Sequence, residues 1–214
     1  MSIWTSKTFG VRAAAILALT SLSGCVVDNI GAVATPGARA MLVSQGAVTV
    51  AGPAGYCIDK GTSKDRSSGA FVLLGTCAAL TNTPGAGQPG VPAILTASIL
   101  PGAPEGSRLS ESFPATARFF RSQPGRAALS GSGNPDDVSV ADVVSRGEVL
   151  YLRLTDRSIA AGQTLAPEYW RAIMAINGRI VTLSALSLRD RPMPASAKRR
   201  ILEAFVAKML AANR

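Results

Sequence analysis

The chain has 214 residues, 47% hydrophobic and 5% aromatic, with 22 Lys and Arg against 13 Asp and Glu for a formal net charge of +9. It contains no histidine, which excludes Ser-His-Asp and Cys-His catalysis and any histidine metal site. Acid pairs, Ser-Lys dyads and oxygen-ligand metals remain as enzyme chemistries, and so few aromatics argue against a sugar-stacking platform.

Met1 to Arg12 is polar and basic, with Lys7 and Arg12 and no acid, and Ala13 to Leu22 is nearly all apolar. A basic lead, a short apolar run and small residues at its end are the layout of an export signal. The run is about half of the roughly 20 residues that span a bilayer as a helix, so a permanent transmembrane anchor is not expected. It ends in Leu22-Ser23-Gly24-Cys25. These four residues resemble the lipobox of bacterial lipoproteins: Leu, a small residue, Gly or Ala, then Cys.

The resemblance covers residues 1 to 25 and implies diacylglycerol transfer to the Cys25 thiol. It further implies cleavage between Gly24 and Cys25, and acylation of the new amino terminus by a chain such as palmitate. Val26 follows the cysteine rather than Asp, which in a Gram-negative cell implies the outer membrane, facing the periplasm. Several acyl chains, at about 0.8 kcal/mol per buried CH₂, hold where one is reversible.

The expected organisation is a signal peptide over 1–24, a lipid-anchored flexible tether over 25–46 and a single α+β domain over 47–214. Losing Lys7 and Arg12 leaves 190 residues with 20 bases against 13 acids, a net charge of +7. Nucleic acid is the usual partner of such a balance, but export argues against it. Anionic lipid head groups, cell-wall carboxylates or an acidic protein are better candidates, against the plain alternative of a solvated basic surface. With Cys25 lipidated, Cys57 and Cys77 are left to pair in an oxidising compartment. Their bridge closes a loop of about 20 residues, contributing roughly 3 kcal/mol by chain entropy. The rival reading, a reactive cysteine, lacks both Cys-x-x-Cys and a histidine to generate a thiolate.

Along the chain, Val26 to about Gln45 reads as tether with a short helix around Ala38 to Val43. Ala47 to Val50 is β-rich, and Gly52 to Gly55 turns. Gly61 to Gly69 is polar and reads as an exposed loop, whereas Ala70 to Gly75 reads as a buried strand, which lets Cys57 meet Cys77. Thr81 to Pro92 is Gly- and Pro-dense loop, and Ala93 to Leu100 is another strand. Leu109, Phe113, Ala117 and Phe120 have helical spacing within Ser107 to Arg121, with Ser110 as N-cap and Pro114 tolerable in the first turn.

Gly125 to Asp137 reads as a link. Val138 to Val144 and Val149 to Leu154 then form a strand pair. Tyr169 to Ile176 and Arg179 to Leu188 flank Asn177-Gly178, the strongest short-range hairpin signal, because both turn positions need positive φ. Ser196 is the expected cap of a helix over about Ala197 to Ala212, whose Ile201, Leu202, Phe205, Val206, Met209 and Leu210 form one apolar stripe. The fold class is therefore α+β, a largely antiparallel sheet with the C-terminal amphipathic helix on one face and a further helix in the middle. In arrangement alone this resembles small α+β domains of the PsbP and Mog1 type, and that likeness carries no residues or activity.

Gly55 to Thr62 has the ingredients of a phosphate loop but not the order, since Lys60 precedes Gly61. Asp136, Asp137 and Asp142 offer oxygens to a hard cation but fall short of a calcium loop. Ser63-Lys64 and Ser196-Ala197-Lys198 bring serine near lysine without Ser-x-x-Lys, and an exposed lysine keeps its high pKa. Arg189, Arg191, Lys198, Arg199 and Arg200 gather where the last helix begins, opposing its dipole unless an anion sits nearby. They are the candidate anion contacts.

No catalytic residue, cofactor or metal is expected. The first reading is a non-enzymatic, lipid-anchored envelope lipoprotein that binds a partner or supports a complex. The alternative is a periplasmic small-molecule or lipid-binding module with a pocket between sheet and helix. An apolar cavity lined by Trp170, Ile173, Phe205 and Met209 would favour that alternative, and a solid core with a basic exposed edge the first.

Overall fold

In the computed structural model, residues 37–84, 89, 92–102, 109–159 and 164–214 are described. The lipobox and most of the expected tether lie outside them. The chain divides into Met1–Val33 and Ala34–Arg214, and the described residues all belong to the second unit.

Nine strands form in chain order among the described residues: β1 (Ala40–Val43), β2 (Val48–Ala51), β3 (Tyr56–Arg66), β4 (Gly69–Thr76), β5 (Ile94–Pro101), β6 (Val138–Arg146), β7 (Val149–Asp156), β8 (Glu168–Ile176) and β9 (Arg179–Leu186). Four α-helices accompany them: α1 (Cys77–Thr81), α2 (Phe113–Arg121), α3 (Gln123–Leu129) and α4 (Ala195–Ala212). The strands β3 to β9 make one antiparallel sheet in the order β3-β4-β5-β9-β8-β7-β6, and β1-β2 is a separate hairpin. The α+β class with a C-terminal helix on an antiparallel sheet is thus as the periodicity predicts.

Alternation builds the two faces. On β5, Leu95, Ala97 and Ile99 are fully buried while Ile94, Thr96 and Ser98 are half-buried. Val72 and Leu74 of β4, Ala172 and Met174 of β8, and Val181, Leu183 and Ala185 of β9 continue the same buried face. The hairpin β1-β2 and α4 cover that face, because Val43, Val48, Val50, Leu202, Phe205 and Met209 belong to the same core. A smaller core on the opposite face joins Leu152 and Leu154 of β7, Tyr169 and Ile173 of β8, Val138 and Leu129. There α2 and α3 pack against β6.

Turn chemistry closes the hairpins where expected. Asn177 and Gly178 take φ of 48° and 70°, as a two-residue turn between right-twisted strands requires. The Asn177 side chain donates from Nδ2 to the Ala47 carbonyl at 2.9 Å, fastening this turn to the β1-β2 hairpin. At the far end of α4, Asn213 accepts from Thr49 N–H and donates to its carbonyl, both at 2.8 Å, so the helix terminus docks on β2 through backbone groups.

Five local expectations are corrected. Ala40–Val43 is a strand rather than a helix, because its paired β2 offers ladder bonds and a buried position for Val43. The polar stretch after Gly61 continues β3 to Arg66 rather than looping out. Three extra residues are absorbed between Asp59 and Lys64, where Asp59 accepts from Gly61 and Thr62 N–H groups and Ser63 bridges the Asp59 carbonyl and Leu73 N–H.

The Ser110 hydroxyl donates to Glu148 instead of capping, and the chain from Leu109 makes a 3-10 turn before α2 begins at Phe113. Part of the link after Arg121 is the helix α3, capped by Ser122, whose side chain accepts from Gly125 N–H. A Cβ at Gly125 would stand 1.8 Å from the Phe119 carbonyl oxygen, so the α2–α3 corner needs glycine there. Finally, α4 starts at Ala195 with Pro194 as its cap residue, and the Pro194 carbonyl takes the first turn's N–H groups in place of a Ser196 cap.

Candidate functional site

Cys57 and Cys77 are bonded, with Cα atoms 4.8 Å apart, tying the start of β3 to the start of α1. Both are buried, at 1% and 3% exposure. Gly37 packs against them so closely that a Cβ there would meet the Cys57 Sγ at 2.6 Å.

The five cations expected to form one anionic contact face are divided by the fold. Lys198 is turned inward at 3% exposure, donating from Nζ to the Glu168 carbonyl at 2.8 Å and pairing with Glu168 Oε1 at 2.9 Å. Arg199 lies over the Trp170 ring, 5.1 Å from its centroid, and its Nε donates to Glu203 Oε1 at 3.0 Å. Arg146 reaches the same carboxylate oxygen at 3.4 Å. Arg189 donates to the Ile159 carbonyl. Arg191 and Arg200 remain exposed. The start of α4 is thus a braced junction on β8, with two of its cations turned to solvent.

On both faces of the sheet lie buried polar groups that periodicity does not announce. The Tyr151 hydroxyl is pushed above its usual pKa, first by burial and then by the Glu203 carboxylate. Tyr169, on the opposite face, is raised chiefly by burial, with the Arg171 guanidinium opposing the shift. That guanidinium donates to the Tyr169 hydroxyl at 3.1 Å. Among the described residues, Trp170 Nε1 and Ser187 Oγ are buried without a hydrogen-bond partner.

Asp156, 3% exposed, spends one oxygen on Gly131 N–H and the other on Ser158, locking two loops together. No sequence signal marks it, since its partners lie 25 and 2 residues away and only folding brings the first close.

The weaker candidates are occupied with local structure. Asp142 pairs with Arg153 across β6-β7 at 2.7 Å, Asp137 accepts from Ser132, and Asp136 sits in an exposed 3-10 turn. Among the described residues no three or more acids or cysteines gather as a metal could use. Ser63 plugs the β3 irregularity, and Lys64 donates to the Gly61 carbonyl, so each side chain is turned to backbone. Asp59 is held below the usual carboxylate range, first by the Thr62 hydroxyl and then by backbone N–H groups, as expected of a loop organiser.

Three surface clefts stand out among the described residues. The widest, about 460 Å³, runs along edge strand β6 beside Arg121, Arg126 and Asp136. Another of about 330 Å³ lies where the β8-β9 turn meets Leu210, Asn213 and Arg214. A tighter one of about 170 Å³ lies at the same end of the sheet, between Arg66 and Arg179, where β9 leaves that turn. The residues weighed for an internal ligand pocket do not line these three. Trp170, Phe205 and Met209 pack in the major core, and Ile173 faces the other side of the sheet. No helix among the described residues is long and apolar enough to cross a membrane. No family model, no curated protein and no solved structure matches the chain.

Proposed function

We propose that the chain is a lipid-anchored lipoprotein of the bacterial cell envelope, attached through Cys25 to the outer membrane. Its α+β domain faces the periplasm and acts as a non-enzymatic interaction module. The observation that carries this reading is the Cys57–Cys77 bond. It takes two of the three cysteines and leaves Cys25, at the end of the lipobox-like stretch, as the remaining thiol. The bond also fits an oxidising compartment. The role of interaction module draws on the filled core around Phe205 and Met209, which leaves binding to the outer surface.

The intact mass of the membrane-extracted protein, with and without reductant, tests it. The expected species begins at Cys25, carries acyl chains that survive reductant, and gains two hydrogens when the disulfide opens. A mass with Cys25 unmodified overturns the anchor. For the interaction, crosslinking in intact cells is compared between the anchored protein and Cys25→Ala exported by another signal. A protein partner captured only by the anchored form is expected. Recovery of a small molecule or lipid alone overturns the interaction role.

A further inference from the structure

Arg66 ends β3 and Arg179 begins β9, 113 residues apart in sequence. Register brings them to one end of the sheet, where Arg66 pairs with Gly69 and Arg179 with Pro101. Both line the cleft of about 170 Å³, together with Ser44, Gln45 and Ser67. Among the described residues neither guanidinium has a carboxylate within ion-pair distance. The acid adjacent in sequence, Asp65, makes no ion pair with either; its carboxylate lies at the cleft's edge and accepts from the Ser44 N–H at 3.1 and 3.2 Å.

Some other arginines are engaged, while Arg191 and Arg200 lie exposed to solvent rather than in a cleft. Arg146, Arg153 and Arg199 hold carboxylates, and Arg126 holds backbone carbonyls. Two like charges facing one small cleft repel each other, and an anion between them converts that cost into attraction.

We propose that this cleft binds a phosphate group. Two guanidinium forks offer about two positive charges, matching the −1.5 to −2 of a phosphate monoester near neutral pH. The Ser44 and Ser67 hydroxyls add neutral donors, so a tetrahedral oxyanion finds more partners than a planar carboxylate could use. The phosphate comes either from a soluble molecule or from a lipid head group. The site is independent of the anchor proposed at Cys25.

Titrating inorganic phosphate into the purified full chain in detergent, followed by calorimetry, tests the site. Saturable binding at one site is expected. Arg66→Gln and Arg179→Gln should each weaken it roughly tenfold or more, and Arg66→Lys, which keeps charge but loses the fork, by less. Arg200→Gln removes an equal charge from an exposed position on α4 and should leave binding unchanged.

Since neither cleft arginine holds an ion pair among the described residues, the thermal midpoint should not fall in any variant. Glycerol 3-phosphate and a short-chain water-soluble phosphatidate then separate the sources. Tighter binding of the phosphatidate assigns a lipid head group, and equal or weaker binding a soluble ester. Absence of saturation, or an Arg200→Gln effect as large as the cleft variants', overturns the proposal.

Discussion

Lys198 shows what burial does to a charge at the scale of one residue. It reads in sequence as one of five surface cations, yet it lies 3% exposed with its ammonium held by the Glu168 carboxylate and carbonyl. Removing one member of a buried pair leaves the other uncompensated, at about 3–5 kcal/mol when both are enclosed. The Glu168 side chain is 40% exposed and can be rehydrated. Lys198→Ala should therefore cost less, roughly 2 kcal/mol in urea unfolding. Lys198→Met, which keeps the apolar stem, should cost less still.

Tyr56 gives a pH signature of the same kind. It is 2% exposed, and burial pushes its hydroxyl from 10.0 up to about 12, although that oxygen accepts from the Ala93 N–H. Since the folded form holds its proton more tightly than the unfolded chain, its contribution is complete below about pH 10. It is lost as pH rises from there toward about 12, amounting to roughly 3 kcal/mol. Tyr56→Phe should flatten that alkaline limb in equilibrium unfolding. A limb of unchanged slope would assign it to another group.

At the scale of elements, α4 and the β8-β9 turn join the sheet to its cover. The helix α4 buries Leu202, Phe205 and Met209 completely. Phe205→Ala should lower stability by about 3–5 kcal/mol through lost burial and the cavity left behind, read as a shift in the denaturant midpoint. The β8-β9 turn depends on positive φ at both central residues, so Gly178→Ala should cost about 1–2 kcal/mol by calorimetry. The strong local signals, Asn177-Gly178 and the 3.6-residue stripe of α4 apart from its exposed Leu210, are borne out because turn dihedrals and an amphipathic face are set by neighbours in sequence. The misread elements share the opposite property. Ala40–Val43 and the end of β3 are strands because a partner arrives to satisfy their backbone groups, and α4 begins at Ala195 because Met193 is drawn into the core just before it.

For the whole molecule, the disulfide and the charge distribution are the governing features. The bond joins residues 20 apart and should contribute about 3 kcal/mol by restricting the unfolded chain. Cys57→Ser with Cys77→Ser should lower the denaturant midpoint accordingly. Because both sulfurs are buried, reductant should act on the native protein only as fast as the fold opens. The charge is spread by the fold: some arginines brace carboxylates and others face solvent or a cleft.

Sequence alone determined the α+β class, the β6-β7 and β8-β9 hairpins, the amphipathic last helix and the cysteine pair, because periodicity, turn dihedrals and residue counting are local or compositional quantities. The address suggested by Leu22 to Cys25 is likewise a property of short-range order along the chain. Only the tertiary structure decided which cations are free. Lys198 and Arg199 are spent on Glu168, Trp170 and Glu203, while Arg66 and Arg179, far apart in sequence and unremarked there, meet at one cleft. Burial and strand register assign a charge its partner, and both come into being only when the sheet closes.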